Sequence, residues 1–129
     1  MFRPKRQLAQ RRILITGASS GIGRALAFEL AQHKSKLIVT ARREDRLQAI
    51  SDEAKSFGAE VVILAGDITD AEHRSALLAA AEREFGGLDI LINNAGIGGI
   101  GTFASATESR LRQIMEVNFF APMELIRIA

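Results

Sequence analysis

The sequence of 129 residues contains no cysteine, no tyrosine and no tryptophan, and it has only two histidines. Without cysteine the chain cannot form a disulfide, a thiolate metal site or a cysteine nucleophile. His33 and His73 fall in predicted helices, without a second ligand at metal-binding spacing. We therefore expect both histidines on the surface and no zinc site.

Long hydrophobic runs are also missing. No apolar stretch of the sequence approaches the ~18 residues that a membrane-spanning helix requires. No signal-peptide core follows the basic start either. We therefore expect a cytoplasmic protein without membrane contacts. The hydrophobic fraction of 47% and the charged fraction of 25% are ordinary for a soluble globular protein. The length of 129 residues predicts one domain that is large enough to bury a core.

The charge is nearly balanced, with 17 Lys and Arg residues against 15 Asp and Glu residues. The first twelve positions nevertheless hold five basic residues, which are Arg3, Lys5, Arg6, Arg11 and Arg12. Such an arm could contact nucleic acid or an acidic lipid surface. Because no aromatic residues are interleaved with these charges and no nucleic-acid motif follows, we interpret residues 1–11 as a solvated arm. We predict no nucleic-acid partner.

Glycines mark two segments, which we call the first glycine loop (residues 17–23) and the second glycine loop (residues 96–101). The first follows an apolar run at 13–15 and leads into a helix whose predicted inner face is Ile22, Ala25, Leu26 and Leu30. Glycine allows a tight turn and the close approach of a ligand, and unpaired N–H groups at a helix start attract phosphate. Strand, glycines and helix in this order favour nucleotide binding over a turn that serves packing only.

The rest of the chain continues to alternate between strand and helix. Further strands are predicted at 36–40, 61–65 and 88–93, and helices at 44–57, from a capping box at 69–72 to about 85, and from 105–108 onward. This alternation predicts an α/β fold, a Rossmann-like doubly wound parallel sheet of order 3-2-1-4 with helices on both faces. Ligands of such sheets bind at the carboxyl ends of the strands, between the first and the fourth.

Two arginines, Arg42 and Arg43, follow the second strand, where the adenosine ribose lies in such folds. An acidic residue at this point would bind the 2′-hydroxyl of NAD(H), whereas the guanidinium group suits the 2′-phosphate of NADP(H). The first acids are only at Glu44 and Asp45. We therefore favour NADP(H) over NAD(H). In the alternative interpretation both arginines are solvated residues at a helix start that pair with nearby acids.

Polar residues also follow the third and fourth strands. Asp67 could accept a hydrogen bond from the adenine amino group, with Ile68 flanking the ring, or it could cap the next helix. Asn93 and Asn94 could tie neighbouring strands together and shape the nicotinamide-ribose pocket. Asn118 lies inside a predicted helix, where asparagine is unfavourable, so it must have a water or a backbone group to hold.

The second glycine loop satisfies the literal pattern G-x-G-x-x-G with Gly96, Gly98 and Gly101. No predicted helix opens at that point, and no acid lies at the expected distance beyond it. We therefore interpret the second glycine loop as a mobile loop beside the substrate pocket.

Four motifs occur in order: Thr-Gly-Ala-Ser-Ser-Gly-Ile-Gly at 16–23, Asp67, Asn-Asn-Ala-Gly at 93–96 and Val-Asn at 117–118. Together they resemble the short-chain dehydrogenase/reductase family, over residues from about 12 to 129. The resemblance implies NAD(P)-dependent oxidation of an alcohol or reduction of a carbonyl in a small-molecule substrate. It identifies Asn118 with the catalytic asparagine that holds the proton-relay water. It implies cofactor contacts from Gly17, Ser19, Ser20, Gly21, Ile22, Gly23, Arg42, Arg43, Asp67, Ile68, Asn94, Ala95 and Gly96.

The absence of tyrosine departs from that family, which completes its active site with a serine and a Tyr-x-x-x-Lys pair. We therefore expect residues 12–129 to be the NADP(H)-binding half of such an enzyme, truncated before the catalytic segment and inactive alone. One alternative is an inactive NADPH-binding or interaction module, and another is a structural fragment that pairs with other chains. The helix after Thr107 matches the family's subunit-contact helix and predicts a homo-oligomer.

Overall fold

A computed structural model of the chain describes residues 7–129. Four strands form one sheet, and the helices connect or follow them. The elements are β1 (Arg12–Thr16), α1 (Gly21–Gln32), β2 (Lys36–Ala41), α2 (Glu44–Ser56), β3 (Glu60–Ala65), α3 (Ala71–Phe85), β4 (Ile90–Ile92), a 3-10 turn (Phe103–Ser105), α4 (Glu108–Met115), a π-helical turn (Glu116–Phe120) and α5 (Ala121–Ile128).

The sheet has the order β3-β2-β1-β4, and every pair of neighbouring strands is parallel. The predicted Rossmann-like α/β fold and its strand order are therefore confirmed. Thr16 at the end of β1 lies opposite Thr40 in β2. This register brings the loops that follow β1, β2 and β4 to one edge of the sheet.

Alternate side chains of the strands build two cores, one on each face. Ile13, Ile15, Leu37 and Val39 pack with α1 and α2 on one face. On the other face, Leu14 and Ile38 pack with Leu77 of α3 and Leu125 of α5. The central strands are buried on both faces, which is why they are continuous apolar runs in the sequence.

The predicted inner face of α1 is wrong in part. Leu30 is buried as expected and Leu26 is half-buried, but Ala25 is exposed and Ile22 keeps 78% of its surface accessible. The buried residues are instead Gly23, Ala27, Leu30 and Ala31. Because Gly23, Ala27 and Ala31 are small and spaced by four, they let the helix approach the sheet closely.

Two local expectations also need correction. The N-cap of α3 is Asp70, whose side chain accepts a hydrogen bond from the Glu72 N–H, and not Thr69 of the predicted capping box. His73 is half-buried against Thr40, and only His33 is exposed as expected. The cause is tertiary, because the partner of His73 is 33 residues away in the sequence.

Residues 1–6 of the predicted arm, with Arg3, Lys5 and Arg6, lie outside the described residues. In the part of the arm that is described, Leu8 packs against the core, and its carbonyl accepts a hydrogen bond from the Ser35 hydroxyl at 2.8 Å. Arg12 belongs to β1 and forms a two-point ion pair with Asp89, at 2.7 Å and 3.0 Å. This pair holds the pKa of Asp89 well below its usual range. It fixes the edge of the sheet opposite the candidate site.

Candidate functional site

A cleft of about 960 Å³ opens at the carboxyl ends of the strands, where the fold places ligands. Its walls come from the loops after β1, β2, β3 and β4 and from the α4–α5 region. The lining residues are Thr16, Gly17, Ser19, Ser20, Ile22, Thr40, Ala41, Arg42, Arg43, Gly66, Asp67, Ile68, Thr69, Asn94, Ala95, Gly96, Ile97, Glu108, Leu111, Arg112, Gln113, Met115, Glu116, Val117 and Phe120.

All predicted site residues except Gly21, Gly23 and Asn118 line this cleft. Gly23 is buried beneath it, and Gly21 opens onto the neighbouring surface between α1 and α2. Asn118 contacts the loop that forms one wall. The structure thus brings the predicted residues of four separate motifs to one end of the sheet.

The first glycine loop is packed tightly against the end of β4. Gly17 has a φ of +66°, and a Cβ atom on it would lie 2.7 Å from the Cα atom of Ala95. A Cβ atom on Gly23 would fall against the side-chain amide of Asn94 and the carbonyl oxygen of Gly17. At both positions any other residue would force the loop away from its neighbours.

The start of α1 presents unpaired N–H groups at the cleft. Its N-cap is Ser20, whose side chain makes no capping hydrogen bond, and no acidic residue lies in the first turn. The first N–H groups of a helix lack intrahelical partners and carry partial positive charge. This end of α1 can therefore accept an anionic group.

Hydrogen bonds of Thr16 and Asn94 connect the first glycine loop to the end of β4. The Thr16 hydroxyl is buried and accepts hydrogen bonds from the N–H groups of Asn94 and Ala95, at 3.1 and 3.0 Å. The Asn94 amide donates to the carbonyl oxygens of Thr16 and Gly17, at 3.1 and 3.0 Å. The expectation that a carboxamide ties neighbouring segments together describes Asn94 well.

Positive charge dominates the end of the cleft that follows β2. Arg42 and Arg43 are exposed, and Arg43 donates a hydrogen bond to the Ser19 hydroxyl at 3.3 Å. Asp67 lies across from Arg42 and accepts two hydrogen bonds from Thr69, at 2.8 and 2.9 Å. These bonds, more than the charge of Arg42, hold the pKa of Asp67 below its usual value. Asp67 is thus a carboxylate that braces its own loop.

Asn118 lies in the π-helical turn and holds a backbone group, one of the two roles expected for it. Its Oδ1 atom accepts from the Ile97 N–H at 2.8 Å, and its Nδ2 atom donates to the Ile97 carbonyl at 2.7 Å. Arg110 of α4 donates to the Gly98 carbonyl at 2.6 Å. The second glycine loop, expected to be mobile, is thus tethered at two consecutive residues. π-Helical turns often mark functional sites.

Four residues were missed by the sequence analysis: Thr16, Thr40, His73 and Arg74. Thr16 ends β1 and Thr40 is the last but one residue of β2, each after a buried apolar run, which is a signal that the sequence does contain. His73 and Arg74 carry no comparable signal, because their contacts are with distant loops.

In residues 7–129 no group of three His, Asp or Glu side chains is placed to hold a metal ion. The same residues include no helix with the length and apolar character needed to cross a membrane.

The chain was compared with known proteins. The family model described as short chain dehydrogenase matches residues 11–129. A fatty acyl-CoA reductase of Mycobacterium tuberculosis is 39% identical over 122 residues, covering 93% of this chain and 42% of that protein. An 11-beta-hydroxysteroid dehydrogenase of Pinus massoniana is 37% identical over 110 residues, covering 84% and 31%.

Solved structures agree with these matches. A short-chain type dehydrogenase/reductase from Mycobacterium marinum superimposes with a TM-score of 0.88 at 30% identity, covering 94% of this chain and 49% of that one. The chain thus spans less than half the length of each of these three proteins.

Proposed function

The chain belongs to the short-chain dehydrogenase family, and on that premise we propose that its cleft binds NADP(H) for a hydride-transfer reaction on a small-molecule carbonyl or alcohol. The main support is the first glycine loop at the start of α1. Gly17 and Gly23 let this loop pack closely against Ala95 and Asn94, and the first turn of α1, whose N–H groups lack intrahelical partners, contains no acidic residue. These are the features that seat a pyrophosphate.

The residues present fit a dinucleotide along the whole cleft. Gly17, Ser19, Ser20, Gly21, Ile22 and Gly23 would surround the pyrophosphate, and Asp67 and Ile68 would lie at the adenine. Asn94, Ala95 and Gly96 would lie at the nicotinamide ribose. Ile22 supports this assignment, because a large apolar side chain with 78% of its surface exposed at the rim of a cleft can cover a bound ring.

We assign the preference for NADP(H) to Arg42, with Arg43 as a second contact. Both are exposed at the cleft, and no acid occupies position 41, which is alanine. A guanidinium group can hold a phosphate through two parallel hydrogen bonds, whereas a carboxylate would repel it. NAD(H) carries a 2′-hydroxyl in place of this phosphate, so it would lack the two parallel hydrogen bonds to the guanidinium group.

Asn118 is the candidate for a catalytic-site asparagine in this chain. Its carboxamide is bonded to both backbone groups of Ile97, so its orientation is fixed relative to the second glycine loop. The side-chain nitrogen of Asn118 has a second hydrogen, and its side-chain oxygen has a second lone pair. Asn118 can therefore hold a water while it keeps its bonds to Ile97.

When bound, the nicotinamide supplies or accepts the hydride. The chain's own residues bind and orient the cofactor, but none of them is a tyrosine that could act as general acid or base. We therefore propose that the chain is the cofactor-binding part of the enzyme and has no turnover by itself. The absence of tyrosine equally suits a second candidate, an inactive module that binds NADPH and contacts a partner.

The experiment is a titration of the purified chain with NADPH and with NADH, followed by cofactor fluorescence, since the chain has neither Trp nor Tyr. Saturable binding with clearly tighter NADPH is expected. Tighter NADH binding would overturn the role of Arg42, and binding of neither would overturn the proposed function. NADPH turnover on carbonyl substrates by the pure chain would contradict the assignment as a cofactor-binding part only.

We also propose self-association through α4, the π-helical turn and α5. Phe119, Phe120, Met123 and Ile126 each expose about half of their surface or more. Part of this helix covers the sheet instead, because Leu125 is fully buried against Leu14 and Ile38. A monomeric mass in solution would contradict the proposal. Cytoplasmic localisation and the absence of a nucleic-acid partner stay predictions.

A further inference from the structure

Thr40 connects the first glycine loop with α3 at the end of the cleft where the adenosine is proposed to bind. Its backbone carbonyl accepts a hydrogen bond from the Ala18 N–H at 3.1 Å, within the first glycine loop. Its hydroxyl lies 2.8 Å from the Nε2 atom of His73, on α3. Thr40 is 98% buried, and the ring of His73 is half-buried beside it. His73 thus reaches the first glycine loop through one intervening residue.

The loop that follows β3 is shaped to admit the His73 ring. A Cβ atom on Gly66 would fall directly on that ring, so only glycine allows the imidazole to reach Thr40. The Gly66 N–H donates to the Ala41 carbonyl at 3.0 Å, immediately before Arg42. Burial lowers the pKa of His73 below its usual value, which keeps the ring neutral near neutral pH. A neutral imidazole can share one hydrogen with the hydroxyl of Thr40 in either direction.

The next residue of α3 holds the other side of the same loop. Arg74 is buried, and its Nη1 atom donates to the Ile68 carbonyl at 2.8 Å. Two consecutive residues of α3 therefore fix the segment on both sides of Asp67. The side chains that would face the adenine and the 2′-phosphate are thus held by a layer of contacts beneath the cleft.

We propose that His73 is a positioning residue, which sets the affinity for the adenosine end of the cofactor by tying Thr40 to the loop at Gly66. The proposal rests on the proposed function and adds a residue to it. His73 does not line the cleft, so it acts through Thr40 and Gly66. Its loss would leave a buried hydroxyl without a partner and let the loop between β3 and α3 move.

The test uses 2′,5′-ADP, which carries only the adenosine end and its phosphates. His73→Leu removes the bond to Thr40 while filling similar space, and His73→Gln keeps a polar group. His33→Leu is the matched control, because His33 is exposed on α1 and pairs with Glu29. We expect about tenfold weaker binding for His73→Leu, since one lost buried hydrogen bond costs about 1.4 kcal/mol. We expect recovery to within about threefold for His73→Gln and no change for His33→Leu.

Amide hydrogen exchange of the free chain separates positioning from general stability. In His73→Leu the amides of Gly66 and Thr69 should exchange faster, while core amides such as Leu14 and Ile38 keep their rates. Wild-type binding by His73→Leu, an equal loss in His73→Gln, or uniformly faster exchange would each overturn the proposal. If the wild-type chain does not bind 2′,5′-ADP, the proposed function fails. The exchange pattern then decides alone whether His73 positions the loop.

Discussion

In the first glycine loop a Cβ atom on two of the three glycines would strike neighbouring residues, whereas in the second glycine loop a Cβ atom on any of the four glycines would stay at least 3.3 Å from its neighbours. A Cβ atom on Gly17 would lie within 3 Å of the backbone of Ala95, and one on Gly23 would strike Asn94. A Cβ atom on Gly98 would meet nothing within 4 Å, and one on Gly96 would make only an ordinary contact, 3.4 Å from Asn118. Close packing therefore requires glycine at Gly17 and Gly23 but not at Gly96 or Gly98.

The difference bears on where we propose the phosphate site. The literal pattern G-x-G-x-x-G belongs to the second glycine loop, which is followed by a 3-10 turn and not by a helix start. The first glycine loop has another spacing, but it ends in the unpaired N–H groups of α1. The proposed phosphate site therefore rests on helix geometry and close packing and not on glycine spacing alone.

The largest expected effect is a loss of NADPH affinity, and it distinguishes the loops because one glycine of each, Gly17 and Gly98, is substituted. Gly17→Ala combines a strained φ of +66° with a clash against Ala95. Such strain costs about 1–3 kcal/mol, and overpacking adds about 1–3 kcal/mol. Because the loop must move away from Ala95 to relieve both, NADPH affinity should fall at least about thirtyfold. Gly98→Ala should leave both the affinity and the unfolding free energy within about 0.5 kcal/mol of the wild type. Fluorescence titration and urea unfolding measure the two quantities.

Gly21→Ala serves as a second variant in case Gly17→Ala does not fold. No protein atom lies near the position of its Cβ atom, so the substitution adds backbone strain without a clash. We expect weaker NADPH binding by a chain that still folds. Equal losses for Gly21→Ala and Gly98→Ala would remove the distinction between the loops.

Removing Arg42, near the first glycine loop, and removing Arg110, which contacts the second, should affect the two cofactor affinities differently. Arg42→Ala should weaken NADPH binding about tenfold to a hundredfold, the worth of hydrogen bonds to a charged group, and leave NADH binding unchanged. Arg110→Ala removes the tether to Gly98 and should not change the ratio of the two affinities. If Arg42→Ala weakens both cofactors equally, the arginine does not recognise the 2′-phosphate.

Asn94 contacts the first glycine loop and Asn118 contacts the second, so substituting each asparagine measures what its contacts contribute to stability. Asn94→Ala removes two hydrogen bonds to backbone carbonyls beneath the cleft, so the free energy of unfolding should fall by about 1–3 kcal/mol. Asn118→Ala also removes two bonds, but Asn118 is exposed and water can replace them, so less than about 1 kcal/mol is expected. Chemical denaturation decides between them, and a larger loss for Asn118→Ala would contradict the account.

The smallest expected effect is a pH dependence of the folding stability, caused by His73 at the end of the cleft near the first glycine loop. Burial lowers the pKa of His73 below 6.5, partly offset by Asp70 and Asp67, so the unfolded chain binds its proton more readily than the folded chain. The contribution of neutral His73 to the stability of the folded chain is therefore complete above about pH 6.5. It is lost as the pH falls toward the folded-state pKa. The Tm of the wild type should therefore decrease relative to His73→Gln between about pH 7.5 and about pH 5. His33→Gln, the control, should follow the wild type.

The sequence predicts most of the fold because its signals are local. Apolar runs at β1, β2 and β3 alternate with helical segments, and right-handed crossovers then determine the strand order. The site is also largely predictable, since Gly17, Arg42, Asp67 and Asn94 each follow a strand of a parallel sheet. The carboxyl ends of such strands meet at one edge.

The errors arise where a distant partner decides. The inner face of α1 is set by Gly23, which must fit beneath Asn94, and not by the larger side chains around it. Thr69 does not cap α3 because its N–H and hydroxyl are both bonded to Asp67. His73 is half-buried because Gly66 leaves space for its ring. The contacts of Gly23 and His73 join residues that no local pattern relates, whereas the contact between Thr69 and Asp67 is local.

The central claim is that the first glycine loop, and not the second, receives the dinucleotide. The most direct measurement is the change in backbone amide chemical shifts of the free chain when NADPH is added. The account predicts the largest changes between residues 17 and 23 and at Arg42, with little change from Gly98 to Gly101. Changes centred on Gly98 to Gly101, or none at the start of α1, would contradict it.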